Sequence, residues 1–479
     1  MARLPWTKFQ DFYLRLGFLK VLVAALSDQR RSARNDAIVR RLERPLFDGA
    51  PVYPGLWREV EGLAIWYPRK TAGGKEITHP EVAEAILIRD RHESVLYGIT
   101  RDTAYKILDW GRDLELVGRG NQITERGLLL RRLCDIEAAE RFFSGDVVGW
   151  HPFHLRAQER LFFLYHLFEV DRLTVEILDD LGGLDPGTTL ESSTAARITC
   201  AAFFRVLESA QSALQPRDIP AFRTAKALAA TIADELELSK LIAESSADAR
   251  RRVPRPIRPT ARRSAFSSAS TGNRGRRTTK NADHQTIPRF EQLVDLGFLR
   301  KPPEGDLDDI ASQLAGRRRW RYQPTEACRR WAETRRAHAS ERRPFLWTCF
   351  ARSAVASHGA TVPPAGKTSI KMLADYLWSA YKLVARPMGH TPFDSVALVA
   401  TIQAATDGVP IEMVEFHDLA LRIKQTSALP DHAFFASGND LDHMFIQLKP
   451  GFHERLLALP ELPARAHHGL HEDGGMEGR

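Results

Sequence analysis

The sequence predicts a mainly α-helical, multi-domain protein with small β-wings, on three observations. At 479 residues the chain is too long for one hydrophobic core, which points to roughly two to four domains. Apolar residues recur at helical spacing along much of its length. The stretch from Tyr97 to Leu133 reads as a helix, a short β-wing and a second helix, and a looser version of that plan returns between His284 and Glu333.

The first helix is expected from Phe9, Phe12, Tyr13, Leu16, Leu19, Val23 and Leu26, which fall on one face. Its apolar run, Gly17 to Leu26, is interrupted by Lys20 and too short to span a bilayer, so no membrane partner is expected. A polar turn at Thr71-Ala-Gly-Gly-Lys75 marks the start of the first unit, and Val82, Ala83, Ile86 and Leu87 predict a helix behind its central one. Thr100 is an N-cap candidate. Ala104, Ile107, Leu108 and Gly111 follow at i, i+3, i+4 and i+7 and should face the core, leaving Arg101, Tyr105, Asp109 and Arg112 outside. Leu114 to Val117 reads as a wing strand, Gly118 to Asn121 as its turn, and Gln122-Ile123 as the return into a second cap, Thr124-Glu125.

Residues 146–248 read as a helical bundle, with Leu161, Phe162, Leu164, Tyr165 and Phe168 crowding one helix. Arg250 to Lys280 then carries eleven basic residues and no acidic one. That composition cannot bury enough apolar area to offset ordering entropy, which predicts a disordered linker or electrostatic arm. In the second unit Thr286 is the expected cap, Pro288 falls in the first turn, and Phe290, Leu293 and Val294 form the apolar face. Gly297-Phe298-Leu299 closes that helix, and Gln323-Pro324-Thr325-Glu326 repeats Gln122-Ile123-Thr124-Glu125 at three of four positions. Further on come a helix from Met372 to Leu383, a strand at Ile411-Glu412, a helix burying Phe416, Leu419, Ala420 and Ile423, and a hairpin of Ala433–Ala436 with Met444–Leu448.

The expected organisation is an N-terminal helical region (1–74), a first unit (75–145), a helical bundle (146–248), a basic linker or arm (249–283), a second unit (284–343), a C-terminal helical region that could hold a third such fold (344–460) and a frayed tail (461–479).

Composition narrows the partners. With 43% hydrophobic and 27% charged residues the chain belongs with soluble globular proteins. A net charge of +8 favours a polyanion. Cys134, Cys200, Cys328 and Cys349 form no CxxC pair, so buried thiols in a reducing, cytoplasmic compartment are expected. The sequence carries no complete catalytic or metal-binding motif. Ala365-Gly366-Lys367-Thr368-Ser369 is similar to the end of a phosphate-binding loop, but Thr361 stands where glycine is required and Pro363-Pro364 replaces a strand. His151 and His154 lack a third ligand, and Asp179-Asp180 and Asp306, Asp308 and Asp309 lack a lysine and strand in register. The expectation is no catalytic residue, no metal and no cofactor.

GITRDTAYKILDWGRDLELV followed by QITERG, and QTIPRFEQLVDLGFL followed by YQPTEA, resemble the winged helix-turn-helix superfamily across about a quarter of the chain. The resemblance implies tandem winged-helix units and nucleic-acid binding or assembly of nucleic-acid-processing complexes. The expected function is that of a non-enzymatic protein binding double-stranded DNA, a subunit of a bacterial defence, repair or mobile-element complex. A scaffold whose winged helices bind other protein subunits is the alternative. Candidate DNA contacts are Arg101, Tyr105 and Arg112 on the first helix and Arg119 on its wing. Arg289 and Gln292 are their counterparts in the second unit, joined by Arg317, Arg318, Arg319 and Arg321 on the wing and Arg262, Arg263, Arg276 and Arg277 in the basic arm. Asp109, Glu291 and Asp295 fall near the same faces and would repel phosphate, which favours the wing and arm over the helices.

Overall fold

The computed structural model describes residues 16–26, 38, 101–134, 155–211, 214, 216, 219–252, 280–301, 321–338, 342–359, 368–386, 390–426, 429, 431–436 and 439–459. The protein is mainly helical with small antiparallel three-stranded sheets. It divides into two compact units, Met1–Arg342 with Ala356–Gly359, and Arg343–Val355 with Ala360–Arg479. No helix among the described residues is long and apolar enough to cross a membrane. The helix expected at residues 82–87, the tip of the second wing and most of the basic arm lie outside the described residues.

In the first unit, α1 (Gly17–Ala25) packs on α2 (Arg101–Asp113) and α3 (Glu125–Leu133). Leu19, Leu22, Ile107, Leu108, Trp110, Leu129 and Leu130 are buried, as the 3.6-residue pattern requires. Lys20, which broke the apolar run, is buried as well, and its Nζ reaches Glu159 Oε2 at 2.8 Å. The first wing is smaller than expected. Leu114 and Glu115 belong to the helix-ending turn, a 3-10 turn spans Arg119–Asn121, and only Val117 and Ile123 pair.

The helices expected to form a separate bundle instead share a core and a sheet with the second wing. They are α4 (Ala157–Val170), α5 (Arg172–Leu181), α6 (Ser192–Gln211) and α7 (Ile219–Arg252). Strand β1 (Leu190–Glu191) enters α6 and pairs with β3 (Arg321–Pro324), which also pairs with β2 (Leu299–Arg300). Between them runs α8 (Lys280–Asp295), against α6 and α7, and α9 (Glu326–His338) follows β3 and packs on α5. Leaving α7 aside, the order α5–β1–α6–α8–β2–β3 gives a sheet in which the first strand pairs with the third and the third with the second.

Two expectations for α8 are corrected. Thr286 is not its N-cap and Pro288 is not in its first turn, because the helix begins at Lys280. The earlier start has a partner: Glu235 of α7 accepts from the backbone N–H groups of Asn281 and Ala282, satisfying donors that a helix N-terminus leaves orphaned.

The repetition seen in the sequence extends to backbone hydrogen bonds. At the end of α2, Leu114 N donates to Trp110 O, Glu115 N to Arg112 O and Leu116 N to Gly111 O. At the end of α8, Leu296 N donates to Gln292 O, Gly297 N to Val294 O and Phe298 N to Leu293 O, with the same offsets. Both chains then pass through a left-handed residue, Glu115 at φ 58° and Gly297 at φ 83°. Thr124 N closes onto Leu116 O at 3.1 Å and Thr325 N onto Phe298 O at 2.9 Å. Each threonine hydroxyl caps the next helix, from Gly127 N at 3.1 Å and Cys328 N at 3.4 Å. A side chain in the left-handed region is strained, and the half-exposed Glu115 carboxylate pairs with Arg126 at 3.2 Å. Glu115→Gly is therefore expected to raise stability by about 0.5–1 kcal/mol in urea unfolding. A loss would show that the Arg126 contact outweighs the backbone strain.

The second unit contains α10 (Arg342–Thr348) and α11 (Phe350–Ser357), most of whose residues belong to it, then α12 (Ile370–Val384), β4 (Thr391–Pro392), α13 (Phe393–Thr406), α14 (Met413–Gln425), β5 (Ala433–Ala436), β6 (Phe445–Leu448) and α15 (Phe452–Leu457). Ser369 caps α12 through Met372 N at 3.2 Å. Phe416, Leu419, Ala420 and Ile423 are buried on α14. Ile411-Glu412 is not a strand, since Glu412 is the N-cap of α14; the third strand comes from Thr391–Pro392. The order α12–β4–α13–α14–β5–β6 reproduces the first unit's helix–strand–helix–helix–strand–strand, again with first strand on third and third on second.

Candidate nucleic-acid interface

The first helix offers less free charge than its sequence implied. Asp109 is exposed on α2, and Arg112 Nη1 lies 2.5 Å from its Oδ1, while Arg112 Nη2 donates to Asn121 Oδ1. Arg112 thus fastens the wing turn to the helix and carries a neutralising carboxylate. Tyr105 is half-buried. Arg101 opens α2 and Arg119 opens the 3-10 turn of the wing.

The counterparts on α8 are corrected outright. Arg289 and Gln292 are fully buried and cannot touch a groove. Arg289 Nε lies 3.2 Å from Asp171 Oδ2, and its Nη1 donates to Gln285 O at 2.9 Å. The acids expected to repel phosphate from this helix are interior too. Glu291 accepts from Tyr322 Oη at 2.8 Å and pairs with Lys301 at 3.0 Å, and Asp295 Oδ2 accepts from Leu16 N at 2.8 Å. Helix α8 is covered by α6 and α7, so its polar stripe is an internal network. Three of its partners, Leu16, Asp171 and Tyr322, lie 279, 118 and 31 residues away, and no local pattern announces them.

Of the described candidates on α8 and the second wing, Arg321 remains on the surface, on the sheet. In β3 the alternation puts Tyr322 and Pro324 inside, while Arg321 is exposed and Gln323 partly so. Arg300 of β2 stands opposite Gln323 and bonds it through Nε at 3.0 Å, and Arg321 stands opposite Glu191 of β1. Sequence reading selected Arg321 but missed Arg300, whose signal was the period-two alternation of Leu299-Arg300. Arg317, Arg318 and Arg319, together with Arg262, Arg263, Arg276 and Arg277, lie outside the described residues.

In the second unit the exposed part of α14 is tied to the hairpin tip. Lys424 Nζ donates to Asn439 Oδ1 at 2.9 Å, and His417 Nε2 lies 2.6 Å from Asn439 O. Nearby charges are mixed, with Asp440 and Asp442 beside His443.

Interior titratable groups are set by burial. Burial, with the Arg126 charge, lowers His166 to about 4 and keeps its imidazole neutral. Burial, with the Asp179 charge, raises the Cys328 thiol to about 12, and all four cysteines are buried and unbridged, so none is an activated nucleophile. Among the described residues no group of three or more His, Cys, Asp or Glu side chains is arranged to hold a metal ion.

No family model, curated protein or solved structure matches the chain.

Proposed function

We propose that the chain is a non-enzymatic DNA-binding protein built from tandem winged-helix units, a subunit of a bacterial nucleic-acid-processing complex. The carrying observation is the connectivity helix–strand–helix–helix–strand–strand with the first strand on the third and the third on the second, present in each compact unit. That is the order of a winged helix, whose third helix or wing meets DNA in many of its uses. Burial of α8 supports contact through the wing and not the helix. Arg300 and Arg321 supply the described positive charge on that sheet, and the basic sequence around Arg317 to Arg319 continues it.

A fluorescence-anisotropy salt titration of the full chain on a mixed-sequence duplex tests this. Affinity is expected to fall steeply with salt, and Arg300→Glu with Arg321→Glu should flatten the log–log slope by about 2. No binding at low salt, or a slope the double variant leaves unchanged, would refute the wing assignment. The second reading, a protein scaffold, is favoured by the same burial of α8, because a winged helix without a free third helix is suited to assembly. On that reading pull-down of partner subunits survives charge reversal of Arg317, Arg318 and Arg319.

A further inference from the structure

We propose a second binding site in the first unit, unrelated to DNA: a cavity of about 110 Å³ that takes a small organic carboxylate. It lies between α4, the turn that joins α8 to β2, the first turn of α9, and the segment Ala356–Gly359, which belongs to the same unit. The size is informative. It exceeds the roughly 10–15 Å³ that one water needs and falls short of the ~150 Å³ apolar cavity that accepts benzene.

The lining is divided between an apolar body and a polar end. Leu164 of α4 and Phe298 of the turn supply hydrocarbon, while Arg160, Ser357 and His358 bring the polar groups. Arg160 is the decisive residue. Its Nε is buried and makes no hydrogen bond. The adjacent acid, Glu159, is taken by Lys20 and Arg156.

The end of α8 might be thought to explain the arginine, since a cation suits a helix C-terminus. Five of the carbonyls at that end have other donors, however. Gln292 O, Leu293 O and Val294 O accept from Leu296, Phe298 and Gly297 N–H groups, and Gly297 O and Phe298 O accept from the Thr325 hydroxyl. A guanidinium whose Nε is buried without an acceptor carries a desolvation cost at that atom, which a bound anion would offset. A carboxylate suits the planar fork, with a short aliphatic body against Leu164 and Phe298.

Isothermal titration calorimetry of the full chain with sodium propionate, propionamide and inorganic phosphate, in carboxylate-free buffer, tests the site. Saturable one-to-one binding of propionate is expected, with propionamide and phosphate each at least about tenfold weaker, because the charge-assisted bonds and the apolar body are both required. Arg160→Gln should lose about tenfold or more. Ala327→Leu fills the cavity at the start of α9 and leaves the charge in place, so it should lose binding as well, even if Arg160→Gln fails to fold. The proposal is overturned if propionate gives no saturable heat, if propionamide binds equally, if phosphate binds better, or if Ala327→Leu binds propionate as the native chain does.

Discussion

Asp171→Asn is expected to destabilise the first unit by about 3–5 kcal/mol. Asp171 and Arg289 are both 0% exposed, and Asp171 Oδ2 also accepts from Thr174 Oγ1 at 2.8 Å. The amide keeps the shape and removes the charge, so a guanidinium remains in the core without its counter-ion. Arg289 is already pushed below its usual value by burial, with Asp171 opposing the shift, so the loss falls on a charge the interior disfavours. Urea unfolding measures the loss. Adding Arg289→Met to Asp171→Asn should restore much of it, since the pair as a whole is worth far less than one orphaned member. A change under about 0.5 kcal/mol for Asp171→Asn would sink the assignment. The double variant also separates structure from recognition: on the proposed function, folded Asp171→Asn/Arg289→Met should bind DNA with native affinity, which loss of a groove-reading arginine would not allow.

The second large effect is a pH dependence in the second unit. Glu412 is buried, and its two carboxylate oxygens accept from Ala351 N at 2.9 Å and Arg352 N at 2.8 Å. Burial raises its pKa to about 8 from an ordinary 4.5, against the pull of those two N–H groups and with a further push from Glu415. Between those values the folded protein holds a proton that the unfolded chain releases. The contribution to stability is therefore fully present below pH 4.5 and is lost as pH rises towards and through 8, at up to about 1.4 kcal/mol per pH unit. Glu412→Gln cannot titrate. The difference in unfolding free energy between native chain and variant should shift across that window in the variant's favour as pH rises. Parallel stability curves from pH 4.5 to 8 would show that the two N–H groups, and not burial, set the protonation of Glu412.

Much of the repeated unit was legible because its determinants are local. Thr124-Glu125 and Thr325-Glu326 cap helices whose apolar faces follow the 3.6-residue period, and the turns that end α2 and α8 are closed by hydrogen bonds spanning three to five residues. The hairpin at Ala433–Ala436 was legible for the same reason, being an alternation around a turn. The candidate interface was less so. Arg289 and Gln292 look like an exposed polar stripe in one dimension, and only Asp171, 118 residues away, reveals the stripe as interior. Arg112 looked free until Asn121 and Asp109 closed on it.

By itself, the sequence determined the helical class, the recurring helix–wing–helix plan with its threonine caps, and the surplus of positive charge, since each depends on neighbours within a few turns. The tertiary structure decided which polar residues face solvent. It also brought β1 to β3 and β4 to β6, completing the same strand order twice, and buried the arginine that seemed poised for DNA. Strand partnership and charge burial depend on contacts across more than a hundred residues in the first unit and more than fifty in the second, which no local pattern encodes.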